Sequence, residues 1–368
     1  VRILVMTSSG EPLNSIRPEA EIFIGLHRGG DPVTVMTGRD NVYWDRFAEA
    51  GVELVDYEPR KKLGFKDIGY LRRHLKGHAY DVVYLFNNKA IRNCAFAAIG
   101  LPPLLVAYRG QTGNIRWYDP SCYLTLLHPR LDAVSCVSNA VRDDLRRHVR
   151  RPERVVTIYK GHDPEWYQEA PAGLRELGLP ADAFVVGCTA NNRPRKGVPV
   201  LVEAMGHLPA EANIHLLLIG NGMDAEELDR QIRESRASDR IHRLGFRTDA
   251  PALTAACGCT VLPALKREGL PKSVIESMVY AVPPVVTDTG GSAELVEDGV
   301  SGYVVAPGDP RTLADRIARL AADPESAKAM GQAARERIAK RFHVRDSIET
   351  TRRFFREWTG AADPASEA

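Results

Sequence analysis

From its second residue the sequence alternates short runs of β-branched and apolar residues with stretches that carry apolar residues at i, i+3 and i+4. This alternation constrains the fold more than any other feature. Parallel strands need helical crossovers, so the pattern implies β-α-β units and a sheet covered on both faces. Strands are expected at residues 2–7, 32–37, 53–57, 81–86, 104–108, 132–137 and 155–159, with helices at 19–27, 66–76, 89–99 and 139–149 between them. Residues 161–172 contain a glycine and two prolines, break the rhythm and read as a linker. The rhythm restarts with strands at 183–189, 214–219, 241–244, 259–262, 284–287 and 302–305, whose helices begin near Val198, Asp224, Ala250, Pro271, Ser292 and Arg311. Two more helices, at 325–341 and 344–358, close the chain. The expected fold class is α/β, with two doubly wound, Rossmann-like domains at residues 1–160 and 161–342 and a frayed tail at 359–368. Ligands of such sheets bind outside the carboxyl ends of the strands.

Charge divides with the rhythm. Residues 1–160 hold 24 Lys and Arg against 17 Asp and Glu, whereas residues 161–368 hold 25 against 30, so a total of +2 conceals halves of +7 and −5. The basic surplus lies in Arg60-Lys-Lys62, Lys66, Arg72-Arg73, Lys76, Arg146-Arg147, Arg150-Arg151 and Arg154, either a surface for anionic lipid or a solvated one. Interleaved aromatics and a nucleic-acid-binding module are both lacking, so no nucleic-acid partner is expected. The six cysteines are scattered as small hydrophobes and imply no disulfide framework; Cys257-Gly-Cys259 lacks the second pair or histidines of a metal site. No run of about 18 apolar residues offers a membrane span, and the opening apolar run is too short for a secretory signal. A reducing, cytoplasmic location follows, with peripheral attachment to the inner face of the cell membrane an open extension.

Chemistry concentrates in two places. Lys266-Arg-Glu-Gly-Leu-Pro-Lys-Ser-Val-Ile-Glu-Ser-Met278 is a strand end, a glycine turn and a helix, with Glu268 before the helix and Glu276 about two turns along it. Backbone N–H groups of Gly269, Leu270, Lys272 and Ser273 lie near a helix N-terminus, where unpaired donors favour an anion. Thr189-Ala-Asn-Asn-Arg-Pro-Arg-Lys-Gly-Val198 is a second strand end, with three cations in four positions. Fixed cations can stabilise an anion without a metal, and the chain contains no Asp-x-Asp string.

The two glutamates, followed by Ala281-Val-Pro-Pro-Val-Val-Thr287, Gly290-Gly-Ser-Ala-Glu-Leu-Val296 and Asp298-Gly-Val-Ser-Gly-Tyr303, resemble the nucleotide-sugar domain of the family 4 (group 1) retaining glycosyltransferases, whose fold is GT-B. The likeness is strong over 183–307 and thinner in the first half, where Val137 to Leu145 carries it. It implies that Glu268 contacts hydroxyls of the donor sugar and Glu276 the ribose hydroxyls. It also implies that Lys196 reaches the diphosphate. The family's arginine, five or six positions before the lysine, is replaced by Ala190 or Asn191, so Arg193 is taken as its substitute and Arg195 as a solvated neighbour. Gly220, in a Gly-x-Gly turn, lines the donor site, and Phe246 and Arg247 lie beside the nucleobase. In the first half, Gly10 stands where the family has a glycine pair, with Arg17 in the same loop. Asn87 and Arg109, at strand ends, are acceptor-side candidates, Arg109 with a structural ion pair as its other reading.

The resemblance therefore implies an enzyme with an acceptor-binding first domain and a donor-binding second domain, with chemistry in the cleft between them. A final helix, about 343–358, returns to the first domain. The expected reaction moves a sugar from a nucleotide-diphosphate donor, UDP-sugar before GDP-sugar, to a hydroxyl of a glycan or lipid-linked acceptor, with no cofactor or metal, in the synthesis of lipopolysaccharide or another envelope polysaccharide. A sugar-nucleotide epimerase of the same fold and a non-catalytic binding subunit are the alternatives.

Overall fold

The computed structural model describes residues 1–361; the end of the expected tail, 362–368, lies outside the described residues. The chain divides into two compact units, Val1–Gly161 together with the segment from Val344 onward, and His162–His343.

In the first unit, strands β1 (Ile3–Met6), β2 (Val33–Thr37), β3 (Glu53–Asp56), β4 (Val82–Leu85), β5 (Leu104–Arg109), β6 (Ala133–Cys136) and β7 (Val155–Thr157) form one sheet in the order β3-β2-β1-β4-β5-β6-β7. Every pairing is parallel. The strands are short because each is an apolar run sealed on both faces: Ile3, Leu4, Val5, Val82, Val83, Leu105 and Val106 have no exposed surface. Two helical features differ from the periodicity reading. The first helix runs Leu13–Arg28 and passes through Pro18, whose missing N–H costs one ladder bond but whose buried ring packs in the core. A short helix, Trp44–Glu49, has too few turns for its periodicity to be visible.

The last helix, Val344–Thr359, belongs to this unit. Arg352 and Arg356 reach Asp31, which is 1% exposed, at 2.9 and 3.5 Å. Phe355 packs edge-on against Tyr84 at 5.3 Å, and Ser347 accepts from the Gly161 amide at 2.8 Å while donating to the Tyr159 carbonyl at 2.7 Å. One residue before Gly161, the Lys160 ammonium pairs with Glu19 and lies 4.5 Å from the Tyr108 ring centroid. Burial alone would lower the pKa of Lys160, but Glu19 and Tyr108 together outweigh it and hold the ammonium above the usual lysine range.

In the second unit, β8 (Phe184–Thr189), β9 (Ile214–Ile219), β10 (Ile241–Gly245), β11 (Cys259–Leu262), β12 (Pro284–Thr287) and β13 (Tyr303–Val305) form a sheet ordered β10-β9-β8-β11-β12-β13, again with parallel pairings. All six cysteines are buried free thiols, and Cys257 donates to the Leu253 carbonyl as part of a helix-to-strand junction. No helix among the described residues is long and apolar enough to cross a membrane. At the amino ends of β9 and β10, His215 Nε2 lies 3.1 Å from Asn213 Oδ1, and His215 Nδ1 lies 3.0 Å from His242 Nε2. The consistent arrangement has His215 donating to Asn213 and accepting from His242, with both rings neutral.

Two predictions follow from these buried groups. Replacing Lys160 by Met strands the Glu19 carboxylate, and urea unfolding should show the first unit destabilised by about 3 kcal/mol. Adding Glu19→Leu should recover most of that loss; a single variant as stable as the parent would show the pair to be solvent-screened. For the histidines, burial first and Arg240 next lower the pKa of His215, and burial first and His215 next lower that of His242, with Asp239 opposing both. Folded values below the unfolded one of about 6.5 mean that this stability is complete above that pH and is lost as pH falls through the folded values. The urea midpoint of the second unit should therefore drop below about pH 6.5, and less steeply in a His215→Asn/His242→Gln variant; equal slopes would remove the pair from the acid transition.

Candidate functional site

Both sheets reverse their order once, between β1 and β4 in the first unit and between β8 and β11 in the second. In the second unit the loops leaving β8 and β11 meet at that switch point, the usual ligand position of a doubly wound sheet. Glu268 is only 4% exposed, and its Oε1 lies 2.9 Å from Lys196 Nζ and 3.4 Å from Arg195 Nη1. Arg195 Nη1 also donates to the Arg267 carbonyl at 3.3 Å, and the Leu265 amide donates to the Arg195 carbonyl at 2.8 Å. Arg267 adopts φ +65°, a left-handed conformation that a side chain larger than glycine rarely takes, and this turns the following carboxylate inward. The site thus holds two cations and one anion. The side chains of Lys196 and Arg195 keep 18% and 26% of their surface open to solvent.

This geometry corrects one sequence reading. Arg195, expected to be solvated, is the residue that joins Lys196 at the carboxylate, whereas Arg193 is exposed and caps the Pro194–Lys196 turn from outside. Arg193 precedes the turn with extended backbone at φ −111°, while Arg195 and Lys196 lie within it, and Pro194, a residue favoured at the first position of a helical turn, was the sequence signal for that division.

The same edge gathers the other donor-side candidates. Gly220 has φ +142°, and a Cβ there would fall 2.1 Å from the Ala190 carbonyl oxygen, so only glycine lets the β8 and β9 loops close together. Asn192 and Asn221 then bridge these loops through backbone and side-chain bonds of 2.9 to 3.1 Å. Gly290, at φ +54°, lies against the Glu268 backbone, where a Cβ would come within 2.0 Å of the carbonyl oxygen. Helix Lys272–Val279 starts without a side-chain cap, and its first bonds run from Val274 and Ile275 to the Pro271 carbonyl. The amides of Gly269, Leu270, Lys272 and Ser273 precede that ladder, as first-turn donors do. Glu276 lies on the second turn of this helix and is 9% exposed. Phe246 is 66% exposed beyond β10. Arg247 is not: Asp249 occupies its guanidinium through bonds of 2.7 and 2.6 Å, so the arginine closes its own loop.

The first unit revises its candidates more. Arg17 lies within helix Leu13–Arg28, not in the preceding loop. Asn87 caps helix Asn88–Ala97, its Oδ1 accepting from the Ala90 amide at 2.8 Å. Arg109 donates to the Gly113 carbonyl, and Gly113 in turn donates to Asp144 at 2.7 Å, so this arginine braces the loop after β5. Around Gly10 the loop after β1 is open, since a Cβ there would meet nothing within 4 Å. Part of the basic surplus is also structural. Arg72 donates to the Ala97 and Ile99 carbonyls, Arg146 to Val155, and Arg154 to the Asp132 carbonyl.

Comparisons with known proteins give the family and the fold. Residues 173–337 match the family model described as glycosyl transferases group 1, and residues 20–166 match that of glycosyltransferase family 4. The chain is 30% identical over 312 residues to the alpha-maltose-1-phosphate synthase of Mycobacterium tuberculosis, covering 78% of this chain and 76% of that one. It is 26% identical over 213 residues to the N-acetyl-alpha-D-glucosaminyl L-malate synthase of Bacillus anthracis, covering 57% of this chain and 56% of that enzyme, so the match spans little more than half of the relative's length. Among solved structures, Anabaena Alr3699/HepE in complex with UDP superposes with a TM-score of 0.79 at 24% identity, over 97% of this chain and 100% of that one. The chain belongs to the group 1 glycosyltransferases of family 4, and its two parallel-sheet units are the paired domains of the GT-B fold.

Proposed function

We propose that this protein transfers a glycosyl group from a nucleoside-diphosphate sugar, with UDP-sugar favoured over GDP-sugar, to a hydroxyl of a glycan or lipid-linked acceptor in envelope polysaccharide synthesis. The observation that carries the reading is Glu268 held between Lys196 and Arg195 at the switch point of the second unit. A diphosphate gains charge as the anomeric C–O bond breaks, and two preset cations meet that charge in place of a metal. Glu268 faces the sugar hydroxyls, Glu276 the ribose, the amides ahead of helix Lys272–Val279 the phosphate oxygens, and Phe246 the base. The first unit binds the acceptor, with Gly10 and Arg17 nearest the reacting hydroxyl. In a retaining, front-face course the acceptor oxygen bonds to the anomeric carbon on the side the diphosphate leaves, and its proton passes to the departing phosphate oxygen. The UDP complex of the Anabaena neighbour supports the choice of base. Peripheral association with an anionic membrane completes the proposal.

Calorimetric titration of UDP, GDP and ADP tests the reading first: UDP should bind, and silence from all three would overturn it. Release of free sugar from a UDP-sugar, or transfer to an added glycan, distinguishes a transferase from an epimerase and from a non-catalytic subunit. Lys196→Ala should lower kcat/KM by about 10²- to 10³-fold. Arg195→Ala should cost more than Arg193→Ala; the reverse order would return the diphosphate role to Arg193. Glu276→Ala should weaken donor binding by roughly tenfold or more, the size of a lost hydrogen bond to a charged group, while leaving the thermal midpoint within a few degrees.

A further inference from the structure

The loop leaving the carboxyl end of β3 exposes apolar side chains while being tightly held from behind. Asp67, 8% exposed, accepts from the Tyr57 hydroxyl at 2.7 Å and from the amides of Arg60 and Lys61 at 3.4 and 3.3 Å. Burial opposes its ionisation, but those bonds prevail and hold the carboxyl below the usual range. Asn93 has no exposed surface; its Oδ1 accepts from the Gly64 amide at 2.9 Å, and its amide group donates to the Lys61 and Lys62 carbonyls at 3.2 and 3.3 Å. Two buried polar side chains from a neighbouring helix and the loop's own helix therefore fix its shape. A loop that slack backbone had left exposed would have no such bracing.

What the bracing presents is an exposed tip. Phe65, the first residue of helix Phe65–Gly77, is 95% exposed, and Leu63 is 42% exposed. Arg60, Lys61, Lys62 and Lys66 surround them and are all exposed. The acids that flank the loop in sequence are turned to other partners: Asp56 accepts from the Arg39 amide at 3.1 Å and Glu58 from the Ser9 hydroxyl at 3.2 Å. Along the same carboxyl edge, Leu13 after β1 and Val42 after β2 are 44% and 55% exposed. An aromatic point ringed by cations suits neither a concave ligand site nor a flat protein contact. It does suit an anionic bilayer, where an apolar wedge sits at the headgroup boundary while long basic side chains reach lipid phosphates.

We propose that residues 58–66 form a docking finger for anionic phospholipid bilayers, with Phe65 and Leu63 entering the acyl boundary and Arg60, Lys61, Lys62 and Lys66 holding the phosphates. The inference deepens the membrane part of the proposed function and rests on it, but it does not depend on sugar transfer. Because the six native thiols are buried, a Phe65→Cys variant can be labelled selectively with an environment-sensitive fluorophore. Its emission should shift to the blue on adding phosphatidylglycerol-containing vesicles at low salt, and not with pure phosphatidylcholine. In vesicle sedimentation, Leu63→Ser/Phe65→Ser should bind at least about tenfold more weakly than the parent, and each Lys→Ala at positions 61 and 62 about fivefold more weakly. Unchanged melting and unchanged UDP titration would show these variants to be folded, and they report on the transfer reading separately. A parent protein that ignores anionic vesicles, or one whose vesicle binding survives both sets of substitutions, would overturn the finger.

Discussion

A carboxylate that is 4% exposed has to be paired, and the structure around Glu268 is organised by that need. Removing an ionised group from water is unfavourable unless opposite charge and hydrogen bonds replace the solvent. Lys196 and Arg195 supply both, but they arrive on a different loop, so the ends of β8 and β11 must be brought together. The sheet order does this, because β8 and β11 are neighbours only at the point where the strand sequence reverses. The left-handed turn at Arg267 and the bare backbone at Gly290 are local conditions for the same pairing. Conformational strain there is repaid by electrostatic satisfaction, which is where strained backbone is commonly found.

Parallel pairing has a further consequence. Each strand returns by a crossover, so every strand of a unit ends at the same edge, and that edge collects all the loops with freedom to carry chemistry. In the second unit, it carries the cations, the glutamates and Phe246. In the first it carries Gly10, the loop braced by Arg109, and the finger with Phe65 at its tip. The two edges are built from the same topology and differ in what their loops carry: two cations paired with a buried carboxylate in one, an accessible backbone and a basic, apolar rim in the other.

Strand positions were legible because a doubly covered sheet demands continuous apolar runs, as in Ile-Leu-Val-Met of β1 and Ile-His-Leu-Leu-Leu-Ile of β9. Glu268, Glu276 and Lys196 were legible as candidates through the family resemblance and the turn glycines and helix start around them, but the pairing of Glu268 with Lys196 was not. The polar residues that serve structure were not. Asn87 as a cap, Arg109 as a brace and Arg247 as a partner of Asp249 look in sequence like binding groups, since capping and binding use the same donors and acceptors. The identity of the partner decides between the two roles, and for Arg109 it is the Gly113 carbonyl, on a loop whose position is fixed by the bond of the Gly113 amide to Asp144. The first helix begins six residues before the expected Glu19 and includes Pro18, a helix breaker by propensity, which is tolerated where packing of its ring outweighs one lost bond. Asp67 and Asn93 carried no motif at all, because clamping a loop requires only that two short polar side chains be buried beneath it.

The charge halves take on a different meaning once the pairing is known. The second half is acidic in sum, yet the cations expected to meet a diphosphate lie within it, and they are not a surplus: Glu268 already neutralises one of the two. A site with one net positive charge attracts a dianionic donor less strongly than a bare cation pair would. In the proposed transfer, it is better matched to the moment when the sugar leaves and the diphosphate gains charge. Cations held in place by a carboxylate need no reorganisation at that moment, and interactions that strengthen as charge develops lower the barrier in a way that tight ground-state binding does not. Under the proposed transfer, the role assigned to Glu268 is therefore double: contact with the sugar, and the stillness it imposes on Lys196 and Arg195.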